Sequence, residues 1–213
     1  MLRLYLRWLR DALVFDDAII ASEQLFAEYG NLFALRPRVL SYNMIVWLHA
    51  LVGDGWWVQR PVNVLLRLAV VAMLFIFYRQ LLLGLRLSEA TDKKSQQSLR
   101  WALFIGVAWY ALNPTAVYAV AYLTQRSIVM ATLFSVIALW AVLKALVSEQ
   151  PRFWFAAILA YVAAMLSKEY ALALPAVAVA LIVLVRPSAK KMLVLGGIGL
   201  VLAAVAGRLL YAR

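Results

Sequence analysis

The side chains of this sequence that are able to do chemistry fall into a few short stretches. Asp16 and Asp17 stand side by side after a short apolar run. Arg36 and Arg38 flank Pro37, Arg126 closes a long apolar segment, and Lys168 and Glu169 are adjacent between two others. A carboxylate can accept the proton of a hydroxyl nucleophile, and arginine or lysine can hold an anionic leaving group such as phosphate. The same residues also have structural readings. Adjacent carboxylates cap helices, a lone arginine anchors a helix end among lipid headgroups, and Lys168 with Glu169 makes a local ion pair. His49 is the single histidine and there is no cysteine, so the residues name no metal site and no disulfide framework.

The elements that carry these residues are set by composition. Apolar residues make up 66% of the chain and charged residues 15%, with a mean hydropathy of +0.86, against about half and a quarter in an ordinary soluble domain. Water is not the solvent such a chain is built for. The net charge of +11 is carried by Lys and Arg spread between apolar runs, the pattern of membrane topology and not of a nucleic-acid groove.

An all-α, polytopic transmembrane bundle of about six spans is expected, forming one membrane domain over residues 1–213. Residues 1–15, with Arg3, Arg7 and Arg10 on one helical face, suit an interfacial helix. Residues 16–60 are mixed and read as an outer loop with short amphipathic helices, Val39 to Val52 among them, and 61–213 as the transmembrane bundle. The first span runs from Pro61, a residue tolerated at a helix start, to Leu83. Arg67 lies inside it and must snorkel or face a cavity. Residues 86–100 read as a solvated basic loop. Trp101 to Leu123 is either a helix kinked at Asn113-Pro114 or a short helix and a re-entrant segment. Ser127 to Val147 crosses back, and Phe153 to Leu166 with Ala171 to Val185 fit a pair of short helices. Met192 to about Leu210 is the last span.

Basic residues in alternate loops orient the bundle. Arg79, Arg86, Lys93, Lys94, Arg100, Lys144, Arg152, Arg186, Lys190 and Lys191 form the richer, cytoplasmic set. Asp16, Asp17, Arg126, Lys168 and Glu169 then share the non-cytoplasmic side.

On that side the order FDD, RP with a serine following, NP…AVAY…R and SKE…LP resembles the membrane half of GT-C glycosyltransferases, particularly the O-mannosyltransferase-like proteins with transmembrane and tetratricopeptide segments and their bacterial relatives. The resemblance covers about Val14 to Val185. It implies a bacterial inner-membrane enzyme that moves a sugar from a polyprenyl-phosphate donor to a hydroxyl acceptor on a protein or glycan, with membrane lipid and no nucleic acid as partner. It also implies Asp16 or Asp17 as the base. Arg36, Arg38, Arg126 and Lys168 are then the candidate phosphate partners, and Glu169 orients Lys168 or binds a divalent cation. Where relatives carry HP followed by a His and a Glu, this chain has Asn113, Ala116 and Tyr118. The first span expected before the acidic pair is replaced by residues 1–15, so a truncated or fragmentary member is expected. Those departures suit an alternative, a non-catalytic lipid-carrier-binding subunit or small transporter. Cysteines introduced at Ser95 and Gln125 should label from opposite faces of intact membranes. Labelling from one face would overturn the orientation.

Overall fold

The computed structural model describes residues 17, 23–31, 36–53, 56–85, 93–113 and 121–185, with single positions 197, 204 and 208. The expected interfacial helix 1–15, Asp16 and most of the expected last span, 192–210, lie outside them. The described residues are helical throughout. They form α1 (Glu23–Tyr29), α2 (Val39–Val52), α3 (Trp56–Gly84), α4 (Lys93–Leu112), α5 (Arg126–Ser148), α6 (Pro151–Ser167), a 3₁₀ turn (Glu169–Ala173) and α7 (Leu174–Val185).

Two helices among them are long and apolar enough to cross a membrane, over Val58–Gly84 and Arg126–Ser148. The others are shorter or less apolar, so the six expected spans reduce here to two of full length. Other boundaries differ from the sequence reading as well. Pro61 does not open α3 but sits within it, one turn beyond Trp56. Residues 93–100 are the first two turns of α4 and not loop, since Lys, Gln, Leu and Arg favour helix whatever their solvent. In α2 polar and apolar residues share the buried side: Ser41 and Asn43 are buried with Val39, Ile45 and Val46, while Trp47, Leu51 and Val52 are exposed. The pair of short helices after Gln150 is present, with Pro151 at the helix start and an extended Lys168 separating α6 from the 3₁₀ turn.

The core is organised around α5, which packs most extensively on α6 and then on α3. Ala138, Ala141 and Ala145 on α5 and Ala157, Ala160 and Ala164 on α6 share one spacing and are all buried. Small side chains at three-then-four spacing let two backbones approach closely, which is how apolar helices gain packing where no hydrophobic effect drives them together. Phe77 of α3 and Leu181 and Ile182 of α7 pack in one cluster with Ala141 and Ala157. A β-carbon on Gly84 would lie 3.5 Å from Leu143 Cδ1 and 3.8 Å from Val185 Cγ1, so the C-terminal halves of α3, α5 and α7 gather at one end of the bundle.

That seam leaves no room for a larger side chain. Ala141→Leu should lower stability by about 1–3 kcal/mol through overpacking, read as a fall in melting temperature in detergent. Leu159→Ala, on the exposed face of α6, should change it by less than about 0.5 kcal/mol. Equal effects would show that the alanine seam is not close-packed.

Candidate functional site

The opposite end of the bundle collects the polar residues. α5 begins at a turn in which the amides of Gln125 and Arg126 donate to the carbonyls of Tyr122 and Leu123. Asp17 serves the same turn from more than a hundred residues away. Its Oδ2 accepts from the Leu123 amide at 3.0 Å, and its Oδ1 accepts from the Thr124 amide at 3.1 Å and the Thr124 hydroxyl at 3.2 Å. The carboxylate is only 1% exposed. Among the described residues, three of its roughly four lone-pair sites are occupied, which leaves one on Oδ2.

Arg126 is fully buried beside it. Its Nε donates to Asn63 Oδ1 at 2.7 Å and its Nη2 to the Gln59 carbonyl at 2.8 Å, both on α3. Asp17 supplies a favourable opposite charge. Nη1 is buried without a hydrogen-bond partner among the described residues, so one cationic donor faces inward unanswered. Asn63 in turn donates to the Tyr122 carbonyl at 3.3 Å, and Gln59 donates to the Ile45 carbonyl of α2 at 3.0 Å. These bonds lock α2, α3 and the start of α5 together.

The second group is more open. Arg36, Pro37 and Arg38 form a turn closed by the Val39 amide on the Arg36 carbonyl, at 3.3 Å. Proline presets the second position, and Arg38 takes the positive φ of the third, at 59°. A non-glycine residue there is strained by about 1 kcal/mol or more. The Arg38 guanidinium reaches across to Glu169, with Nε at 2.8 Å and Nη2 at 2.7 Å from Oε1. Lys168 Nζ lies 3.8 Å from Glu169 Oε2. Ser41 adds a bond to the Ser167 carbonyl at 3.4 Å. Two cations thus share one carboxylate, with side chains 20–33% exposed.

The two groups differ in their electrostatics. Burial pushes the Glu169 carboxyl up, but the Arg38 hydrogen bond and the charges of Arg38 and Lys168 outweigh it and hold it below the usual carboxylate range. Lys168 is lowered by burial and then by repulsion from Arg38, partly offset by Glu169. Arg38 is raised, burial being outweighed by its bonds to Glu169 and Tyr42.

Of the residues singled out in the sequence, Asp17 and Arg126 come together, and so do Arg38, Lys168 and Glu169. Arg36 stands apart in a surface ion pair with Glu28, at 3.1 Å. Asp16 lies outside the described residues. No cluster of three or more metal-ligating side chains occurs among the described residues. His49 packs against Phe26, ring centroids 4.8 Å apart. Arg67 bonds the Tyr110 hydroxyl and, at 2.8 Å, the Tyr110 carbonyl of α4, with its guanidinium 3.9 Å above that ring. The residues missed were Gln59 and Asn63. Their signal is the four-residue step Gln59, Asn63, Arg67, a polar stripe along an otherwise apolar helix.

No protein-family model, curated protein or solved structure matches this chain.

The depressed Glu169 carboxyl has a pH consequence. Its stabilising contribution is complete above the unfolded-state pKa and is lost as pH falls through the lower folded-state value. Melting temperature in detergent should therefore fall more steeply below about pH 4 for the native chain than for Glu169→Gln. Parallel acid limbs would show that the Arg38–Glu169 pair does not couple proton binding to folding.

Proposed function

We propose that this chain is a multi-pass membrane glycosyltransferase of the GT-C type, moving a sugar from a polyprenyl phosphate to a hydroxyl acceptor on the non-cytoplasmic side. The observation that carries the reading is the gathering of the separate motifs at one end of the bundle. Asp17 meets the Leu123-Thr124 turn, Arg126 meets α3, and Arg38 meets Glu169 beside Lys168. Membrane embedding is supported by the two span-length helices and by the large apolar side chains exposed on α3 and α4, among them Leu65, Leu68, Phe104, Ile105 and Trp109. A surface of that kind suits lipid and not water.

In this reading the half-exposed group receives the donor phosphate. Arg38 and Lys168 outnumber Glu169 by one charge, and a phosphate restores neutrality. Positioned cations stabilise the departing phosphate as the glycosidic bond breaks. The remaining lone pair on Asp17 Oδ2 takes the acceptor proton, with Asp16 as the alternative base. A second reading is favoured by the burial of Asp17 and by its three bonds to the turn: the carboxylate then organises the start of α5, and the chain is a non-catalytic binder of a lipid carrier.

Sugar transfer by membranes holding Asp17→Asn or Asp16→Asn, at matched folded protein, separates the two. Loss of a general base lowers transfer by about a hundredfold or more with donor binding retained, in one variant and not the other. Full transfer in both variants overturns the assignment of the base, and no transfer by the native chain with donor binding intact favours the carrier-binding reading.

A further inference from the structure

Away from that site, the seam between α3 and α4 is closed at one end and open at the other. Arg67 and Tyr110 tie the two helices near the start of α3. Toward its end they leave a cleft of about 570 Å³. Phe75, Leu82, Leu99, Leu103 and Phe104 provide apolar walls, and Arg79, Gln96 and Arg100 provide the polar groups. A smaller apolar cleft on the same seam shares Leu82, Leu99 and Leu103 and continues toward Gly106. The two helices carry no acidic residue at all, while Lys93, Lys94, Arg79 and Arg100 all belong to this end. Trp101, exposed one residue past Arg100, is the type of residue that marks headgroup depth.

We propose that this cleft is a binding site for an anionic diacyl phospholipid, its phosphate between Arg79 and Arg100 and its acyl chains along Leu82, Leu99 and Leu103. Charge complementarity selects the occupant. Two arginines with no carboxylate among the described lining residues call for an anion, and the apolar walls continue too far along the helices for a free inorganic anion to fill. A basic pocket between membrane helices is a recognised form of anionic-headgroup site. The site stands at the end of the bundle opposite Arg126 and Arg38, so it is separate from the donor site proposed above and independent of it.

The test is native mass spectrometry of the full chain released from nanodiscs of phosphatidylglycerol and phosphatidylcholine in equal parts. The native chain should retain phosphatidylglycerol over phosphatidylcholine by about tenfold, as two arginines near an anionic headgroup warrant. Arg79→Gln with Arg100→Gln should abolish the enrichment. Leu103→Trp, which fills the cleft and keeps every charge, should abolish it too. Lys144→Gln with Arg152→Gln removes as much charge outside the cleft and should leave it unchanged. Enrichment that survives both cleft variants overturns the site, and equal loss in the Lys144 and Arg152 control reduces it to diffuse attraction. Displacement of the lipid by inorganic phosphate, or preferentially by polyprenyl phosphate, overturns the assignment of its occupant.

Discussion

A buried guanidinium at the first residue of α5 is the constraint on which the rest of this bundle depends. A charge removed from water is tolerated only where other groups answer it. Arg126 draws those groups from two distant parts of the chain: the Asn63 amide and the Gln59 carbonyl on α3, and the carboxylate of Asp17 far upstream. Once they are in place, the register of α3 against α5 is set, and Gln59 passes the constraint on to α2 through Ile45. The same end then positions Arg38, at the head of α2, across from Glu169. Apolar packing alone would not select this arrangement, because alanine seams and leucine faces tolerate sliding that hydrogen bonds to a charge do not.

The two polar groups divide the work between them. The inner one is enclosed, and among the described residues it leaves Arg126 Nη1 and Gln59 Oε1 without a hydrogen-bond partner. The outer one is accessible and carries more cation than anion. The outer one also includes Ser41, Ser167 and the strained turn at Arg38, so a ligand engaging it would act on the same turn that opens α2.

Much of the helical architecture was legible in the sequence, because unbroken apolar runs such as 126–148 admit little else. The break at Lys168-Glu169 was legible too, since neither flanking run is long enough alone and both together are too long. Where the reading failed, polarity had been taken for conformation. Lys93 to Arg100 is polar yet helical, and Trp56 to Arg60 is helical, with Gln59 and Arg60 buried, although it precedes a proline. At the site, residue types such as Asp17, Arg126, Lys168 and Glu169 stood out as charges in apolar surroundings. Their partners did not. Nothing local tells Asp17 to cap a turn at Leu123, or tells Arg67 to choose Tyr110, because those pairings are decided by how the helices pack.

The unequal burial of the two span-length helices bears on how the chain is assembled. The apolar window of α3 is 17% buried within the protein, and that of α5 is 50% buried. α3 therefore asks less of its neighbours, although its own Arg67 is answered only when Tyr110 of α4 has been made. α5 depends on them more, because it brings the buried Arg126 with it. In the membrane-embedded chain proposed above, Asn63 and the Gln59 carbonyl are already in place when α5 is synthesised, and the acid of Asp17 was made earlier still. Biogenesis in chain order thus delivers the cation last, to a receptor that has been completed before it. Reversing the order of these helices would strand a charge in lipid during insertion even if the finished fold were the same.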